Sequence, residues 1–458
     1  MSEPAERTDW VALAAEHPVT PEELADVLAF LSIPSVSGDR EHSPDVVRAA
    51  EWVRDYLVTH GATAELVPTR RDPLVIGRIP ASSGYPDAPT VMLYAHFDVQ
   101  PPGEEAEWVS GPFDPEIRDG WIHARGSADD KVHLYALMRG ALDLAAESAL
   151  PVDVVILGDA EEEAAGETAV EWLAEQEELP DLAVAFDGIM FRHRQPVVQI
   201  ATRGICFYRL EVVTGEKDLH SGIFGGIGLN ALHVLTRALD AVIAQPESLA
   251  VGRYEPEPGD LAEWQRACDW EAILATAGGR PVAPGVVDSF VERTGFLPSV
   301  NVHGIAGGEP EREKTIIPTR AHAHLSIRLA PRQDPDAVGA ELERLITEAA
   351  HPGADVRLER LESSPGSLID PSSPVARRIA AAVGRAMGGD PVMQPTGGTV
   401  PIMSALASRD IPAVLTGFGL PESNVHAPNE RIPLAYVAMA TTAVREILRA
   451  VSEPGSTR

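Results

Sequence analysis

Apolar residues follow two patterns along this chain, and each pattern predicts a different kind of sheet. Short continuous apolar runs are typical of strands that are buried on both faces. These runs are Thr90–Val99, Val152–Gly158, Leu182–Phe186 and Ala413–Thr416. Segments with helical apolar spacing precede or separate them, namely Thr20–Leu31, Ser43–His60 and Lys131–Ala146. The alternation predicts a layered α/β domain with a central, mostly parallel sheet.

The middle of the chain follows the second pattern. Phe207–Val213 and His322–Leu329 alternate apolar and polar residues, as half-exposed antiparallel strands do, and a predicted helix at Leu229–Ala244 lies between them. We therefore predict an α+β domain with an antiparallel sheet at residues 203–366. It is inserted into a discontinuous domain made of residues 1–202 and 367–458.

Composition narrows the function classes. The chain has 458 residues and a formal net charge of −32, which disfavours binding to nucleic acid or to an anionic membrane surface. The N-terminal residues lack the pattern of a signal peptide, and no run reaches the ~18 apolar residues of a membrane span. The expected location is the cytoplasm.

The chain has two cysteines, Cys206 and Cys268, which are expected to be buried thiols. Two cysteines are too few for a disulfide framework or a thiolate zinc site.

Each of the four apolar runs ends in, or is followed by, residues that can bind a metal. They are His96 and Asp98, then Glu161 to Glu163, then Asp187, and finally His426. Functional sites of α/β sheets lie at the carboxyl ends of the strands. Each signal alone also has a plain structural explanation, such as a solvated acidic loop, a turn or a strand-end histidine held by a carboxylate.

A pair of carboxylates, Asp129 and Asp130, precedes the predicted helix at Lys131–Ala146. Alone, the pair is explained by N-capping, since carboxylates are favoured at helix N-termini. Taken with the strand-end residues, however, it completes an inventory of about two histidines and three or four carboxylates, which suits two ions roughly 3.5–4 Å apart with a bridging carboxylate. The leading hypothesis is a two-metal hydrolase.

Eight motifs in a characteristic order support a family resemblance. They are HFDVQPPG, RGSADDK, DAEEEAAG, AFDG, DLHSGIFGG, KTIIPTRAHAHLSIRLAP, GGTVPIM and HAPNE, and they extend over residues 90–430. The set resembles the M20 metallopeptidases, and most closely their dipeptidase branch, the carnosinase-like and cytosolic non-specific dipeptidases. The resemblance implies that the inserted domain is a lid and dimerisation domain.

The resemblance also assigns five residues to two divalent ions, expected to be zinc, with manganese or cobalt as alternatives. They are Asp129 as the bridge, His96 and Asp187 at one ion, and Glu163 and His426 at the other. Asp98 would orient His96, and the peptide bond between Asp129 and Asp130 would be cis.

For catalysis, the resemblance implies dipeptide hydrolysis by a metal-bridging water with Glu162 as general base. His220 would stabilise the oxyanion in the partner subunit's active site, which implies a homodimer. Arg328, Gly398 and Thr399 would bind the substrate's C-terminal carboxylate.

The chain departs from the family pattern in ways that leave alternatives open. Val132 and Ala165 stand where the family usually has glycine, and residues 393–396 lack its usual charges. Glu161 precedes the glutamate pair, so base and ligand could be Glu161 and Glu162 instead of Glu162 and Glu163. The functional alternatives are a carboxypeptidase, aminoacylase or deacetylase of the same family, and a non-catalytic binding protein. Asp187 favours the dipeptidase over the first group, and the complete inventory disfavours the last.

Overall fold

The computed structural model describes residues 8–38, 42–164, 166–267, 269–276, 278–309, 311–369 and 373–452, so that Ala165 and Cys268 lie outside the described residues. The strands are β1 (Thr63–Val67), β2 (Leu74–Ile79), β3 (Thr90–His96), β4 (Glu116–Arg118), β5 (Trp121–His123), β6 (Asp153–Asp159), β7 (Leu182–Phe186), β8 (Val197–Ala201), β9 (Gly204–Val213), β10 (Leu219–His220), β11 (Ser299–Gly307), β12 (Ile316–Ile317), β13 (Arg320–Leu329), β14 (Asp355–Ser364), β15 (Val392–Pro395), β16 (Ala413–Gly417) and β17 (Arg431–Pro433).

Helices occupy much of the rest of the described chain. They are α1 (Trp10–Glu16), α2 (Pro21–Leu31), α3 (Ser43–Thr59), α4 (Lys131–Ala146), α5 (Glu167–Glu175), α6 (Ser221–Phe224), α7 (Ala231–Ile243), α8 (Pro258–Arg266), α9 (Trp270–Thr276), α10 (Pro335–Ala349), α11 (Pro374–Met387), α12 (Pro401–Ser408) and α13 (Ala435–Val451). Among the described residues, no helix is both long and apolar enough to cross a membrane.

The larger sheet confirms the predicted α/β class. Within the described residues it has eight strands in the order β1-β2-β6-β3-β7-β16-β8-β15. Strand β3 is parallel to both β6 and β7, β7 is parallel to β16, and β15 is parallel to β8. The remaining neighbours, β1 with β2, β2 with β6 and β16 with β8, are antiparallel.

Helices cover both faces of this sheet, which explains why its central strands β3, β6, β7 and β16 are almost wholly buried. Alternate residues of β3 enter two different cores, because successive side chains of a strand point to opposite faces. Val91 and Leu93 pack in the core that includes α3, α4, α11 and α13. Met92 and Tyr94 pack in the core that includes α5 and α12.

The second sheet is antiparallel, as the alternating pattern predicts. Its order is β11-β13-β9-β14, and β13 pairs along its whole length with β9. Buried residues of β9 and β13 share a core with α7 and α10, and Cys206 is a buried free thiol on β9. These strands lie within residues 204–364, inside the predicted insertion at 203–366. The boundaries of that domain remain a prediction.

The parallel strands bring several loops to one edge of the larger sheet. His96 is the last residue of β3 and pairs with Asp159, the last residue of β6. Asp187 directly follows β7, and its backbone N–H donates to Thr416 O of β16 at 2.9 Å. The loops after β3, β6, β7 and β16 therefore lie together, which is where the strand-end histidines and carboxylates occur.

The loop that carries Asp187 lies against β16 so closely that the contact requires glycine. A Cβ on Gly417 would overlap the backbone of Gly188, and a Cβ on Gly188 would meet the backbone of Thr416. The two chains can approach in this way because neither glycine has a side chain.

We predict that Gly417→Ala lowers the free energy of unfolding by about 1–3 kcal/mol, because the added methyl group forces the Gly188 backbone away. Gly84→Ala is the matched control, since Gly84 is exposed and a Cβ there meets nothing within 4 Å. Urea denaturation of both variants measures the difference. Equal urea midpoints for the two variants would show that the close contact of Gly188 with Gly417 does not require glycine.

Candidate metal centre

Two groups of side chains at the edge of the larger sheet are close enough to hold metal ions, and they share one residue. His96, Asp129 and Asp187 form one group, and Asp129, Glu163 and His426 form the other. In each group the potential ligand atoms lie within 4.8 Å of one another. The structure thus brings together all five residues that the resemblance assigns to metal ions.

Asp129 lies between two imidazoles and uses a different oxygen for each. Its Oδ1 is 3.0 Å from His96 Nε2, and its Oδ2 is 2.9 Å from His426 Nε2. The same His426 nitrogen is 3.2 Å from Glu163 Oε1. A carboxylate with one oxygen directed to each of two nitrogen ligands has the arrangement that a bridging ligand needs.

Asp98 contacts both His96 and the glutamate loop. The His96 Nδ1–H donates to the Asp98 backbone oxygen at 3.0 Å, and the Asp98 carboxylate is 3.3 Å from the same nitrogen. That carboxylate also accepts hydrogen bonds from the backbone N–H groups of Glu162 at 3.2 Å and Glu163 at 3.0 Å. Asp98 therefore orients the ring of His96 and also holds the backbone of Glu162 and Glu163. The sequence did not reveal the contact with the two glutamates.

The positions of the three glutamates bear on the open question of register. Glu161 is buried and its Oε1 accepts from the backbone N–H of Asp72 at 3.1 Å. Glu163, in contrast, lies beside His426 and also accepts from the Gln100 side chain at 2.9 Å. This geometry places Glu163, and not Glu161, beside His426, as the first of the two registers predicts for the ligand.

Asp130 does not act as the helix cap that its position suggests. It occupies the N-cap position of α4, but its side chain makes no capping hydrogen bond. The carboxylate instead accepts from the backbone N–H of His96 at 3.2 Å and is hydrogen-bonded to His133 Nδ1. His133 Nε2 in turn accepts from the backbone N–H of Phe418 at 2.9 Å. The peptide bond between Asp129 and Asp130 is cis, as expected.

Negative charge dominates the electrostatics of the site. Burial and the nearby Asp187 raise the pKa of Glu162, and burial and the nearby Asp129 raise the pKa of Asp187. The adjacent carboxylates of Asp129 and Glu163 raise the pKa of His426 to about 10. For His96, burial lowers the pKa, but the bonds to Asp129 and Asp98 outweigh that effect and raise it. Besides burial, the surplus of carboxylates contributes to all four raised pKa values, and cations would neutralise it.

The donor set fits divalent metal ions. Glu163 Oε1 is buried and, among the described residues, accepts no hydrogen bond, although it lies next to His426. A buried carboxylate oxygen without a donor calls for a cation. The available ligand atoms are imidazole nitrogens and carboxylate oxygens, which suit zinc, manganese or cobalt.

The predicted substrate-binding residues form a second group. Arg328 on β13 donates to Thr399 Oγ1 at 2.7 Å, and the Thr399 hydroxyl donates to the backbone oxygen of Arg203 at 2.6 Å. The backbone N–H of Arg203 donates to the backbone oxygen of Gly398 at 2.9 Å. The sequence reasoning missed Arg203, a buried guanidinium that also donates to Ser299 Oγ at 2.7 Å.

His220 lies apart from the five-residue group. It is exposed at the start of α6, where its Nδ1 accepts from the backbone N–H of Gly222 at 3.0 Å. Its predicted role requires the partner subunit, whereas among the described residues of one chain its side chain caps the short helix α6.

Comparison with known proteins assigns most of the chain to one family. The sequence model for peptidase family M20/M25/M40 matches residues 92–450. The Beta-Ala-His dipeptidase of Rattus norvegicus is 28% identical over 378 residues, which are 76% of this chain and 74% of the relative. The Cysteinylglycine-S-conjugate dipeptidase of Corynebacterium striatum is 27% identical over 450 residues, 93% of this chain and 94% of the relative.

Solved structures share the fold. The M20 family metallo-carboxypeptidase Sso-CP2 from Sulfolobus solfataricus superposes with a TM-score of 0.83 at 24% identity, covering 94% of this chain and 100% of that one. Human carnosine dipeptidase 1 superposes with a TM-score of 0.75 at 20% identity, covering 97% and 98%. The predicted fold class and the predicted family are both confirmed. The family match also identifies the chain as an enzyme of a metallopeptidase class that uses divalent metals. The chain belongs to peptidase family M20/M25/M40.

Proposed function

We propose that this protein is a dipeptidase that hydrolyses the peptide bond of dipeptides with two divalent metal ions. One observation carries the proposal, namely that each oxygen of Asp129 is directed to a different histidine, His96 or His426. Asp187 would complete the first site and Glu163 the second. Zinc is the proposed metal, with manganese and cobalt as alternatives.

Bound at this position, two divalent ions would polarise the scissile carbonyl and lower the pKa of water. The protein's own part is to position and to carry protons. Glu162 would accept the proton of the attacking water and deliver it to the leaving amine. Burial and Asp187 raise the pKa of Glu162, which suits a carboxyl that must hold a proton between these two steps. The Asp98 carboxylate accepts a hydrogen bond from the backbone N–H of Glu162 and so holds Glu162 in position.

The group around Arg328 supports a substrate with a free carboxylate. Burial, followed by the neighbouring Arg328, lowers the pKa of Arg203 to about 10, and burial also lowers the pKa of Arg328. In the described part of the chain, neither guanidinium forms an ion pair with a carboxylate. Two adjacent, partly buried cations favour an anion, and a guanidinium matches a carboxylate in shape. Arg328, Thr399 and Gly398 would bind the C-terminal carboxylate of the dipeptide.

The names of the two sequence relatives point to the same substrate class, whereas the structural neighbour Sso-CP2 is a carboxypeptidase. Both curated relatives described above are dipeptidases by name. A carboxypeptidase, aminoacylase or deacetylase would use the same metal chemistry, and N-acetyl amino acids in the substrate panel separate the last two from a dipeptidase. The cytoplasmic location remains a prediction.

A homodimer built on the inserted domain, proposed at residues 203–366, is supported by exposed apolar side chains near His220. The exposed fractions are 66% for Ile223, 42% for Phe224 and 84% for Ile227. Large apolar side chains grouped on a surface mark an interaction site. Among the described residues, strand β11 adds an unpaired, largely exposed edge to the same domain. We propose that a second copy covers these surfaces and receives His220 in its active site.

The proposed activity is tested by adding zinc, manganese or cobalt to metal-stripped protein and assaying a dipeptide panel. We expect cleavage of dipeptides with a free C-terminus and little turnover of their C-terminal amides. The reason is that an amide has no carboxylate for Arg328 to bind. Cleavage of N-acetyl amino acids without any dipeptide cleavage would indicate a deacylase instead.

Glu162→Gln is the matched control for that assay. It keeps the size of the side chain but cannot accept a proton. We expect metal binding close to that of the unchanged protein and a fall in kcat of roughly 100-fold or more. A Glu162→Gln variant with full activity would exclude Glu162 as the general base.

The bridging role of Asp129 is tested by metal content. Asp129→Ala should lose both ions, whereas Asp187→Ala should weaken mainly the ion shared with His96. Equilibrium dialysis with manganese measures the bound ions per chain. Asp55→Ala, at an exposed position on α3, is the control. Retention of both ions by the Asp129 variant would refute a shared ligand.

The dimer is tested by mixing two inactive variants, His220→Ala and Glu162→Gln. If His220 acts in the partner's site, mixed dimers contain one complete site, and random exchange should restore about a quarter of the activity. If His220 acts within its own chain, or if the protein is monomeric, no activity returns. Sedimentation velocity of the mixture measures the assembly directly.

A further inference from the structure

Glu430 is a fully buried carboxylate that the proposed chemistry does not use. It is the last residue of the HAPNE motif, four residues after His426 and directly before β17. It is not a member of either group of potential metal ligands. A buried carboxylate is retained only where many donors satisfy it.

Each carboxylate oxygen of Glu430 accepts two hydrogen bonds. Oε2 accepts from Arg125 Nη1 at 2.6 Å and from the backbone N–H of Gly126 at 3.0 Å. Oε1 accepts from the backbone N–H groups of Ala128 at 2.8 Å and Asp129 at 3.1 Å. The side chain thus binds the whole turn that leads to Asp129.

The backbone around Glu430 reinforces this connection. Its carbonyl oxygen accepts from the backbone N–H of Ala124 at 3.1 Å, and the next residue, Arg431, pairs with His123 of β5. Arg125 is itself buried, and its guanidinium lies 5.5 Å from the centre of the Trp108 ring. The loop that carries His426 and the turn that carries Asp129 are therefore joined as one unit.

We propose that Glu430 is a positioning residue that fixes Asp129 relative to His426 and so sets the geometry of the ion that these two residues share with Glu163. This inference rests on the proposed metal-dependent function. Its physical reason is that Asp129 and His426 come from distant parts of the chain, and Glu430 is hydrogen-bonded to one while lying four residues from the other. Groups that orient metal ligands typically change affinity or activity roughly 10–100-fold when replaced.

Glu430→Gln is the sharpest test. An amide offers one acceptor oxygen and one NH₂ group, so at least one pair of donors, either Arg125 with Gly126 or Ala128 with Asp129, would face another donor. Glu430→Asp keeps the charge next to Arg125 but is one methylene shorter, and it serves if the glutamine variant folds poorly. Glu422→Gln removes the same charge at an exposed position of the same loop and is the control.

The measurement is a cobalt(II) titration of the metal-stripped full chain, followed through the visible d–d absorption, with circular dichroism to verify folding. For Glu430→Gln we expect cobalt affinity to fall roughly 10–100-fold and the d–d bands to change in intensity, with an intermediate effect for Glu430→Asp. Glu422→Gln should match the unchanged protein. With manganese at saturation, kcat should fall while KM changes less than about threefold.

Folded Glu430 variants that bind cobalt with unchanged affinity and spectrum would overturn the proposal, even if they are less heat-stable, because Glu430 would then serve folding alone. Absence of cobalt binding by the unchanged protein would overturn the metal-dependent function as well. The two failures are therefore distinguishable in one set of titrations.

Discussion

The carboxylate of Asp129, held between His96 and His426, is the contact on which the arrangement of this site depends. It joins residues from three distant segments, and the acidic side chains around it cannot remain charged together in a buried position without cations. Other features supply the support that this contact needs. Asp98 holds His96 and the glutamate loop, Asp130 holds the His96 backbone, and Glu430 holds the turn before Asp129.

The fold explains why these segments meet. Parallel strands β3, β6 and β7 end at one edge, and helices on both faces bury the sheet, so the loops at that edge have a rigid base. The close contact of Gly188 with Gly417 brings the Asp187 loop against β16. The proposed function thus depends on backbone geometry as much as on the potential ligands, because a displacement of about 1 Å in a loop would separate residues proposed to share an ion.

Sequence reasoning predicted the features that depend on local pattern. The bounds of β7 and α4 agree with the predicted Leu182–Phe186 and Lys131–Ala146, because apolar periodicity follows directly from burial. Helix α2 begins one residue later than predicted, since Thr20 forms a capping box with Glu23. The five potential ligands were found through ordered motifs that resemble a family.

The features that sequence reasoning missed are contacts between distant residues. Nothing in the pattern around Glu430 or Arg203 indicates their partners, because hydrogen bonds to backbone N–H and C=O groups leave no trace in residue spacing. Asp130 looks like a helix cap and instead binds His96 and His133. The two-metal site is tested most directly by a crystal grown with manganese and measured at the manganese absorption edge. We expect two anomalous peaks about 3.5 Å apart with Asp129 between them. A single peak, or peaks remote from Asp129, would contradict a shared site.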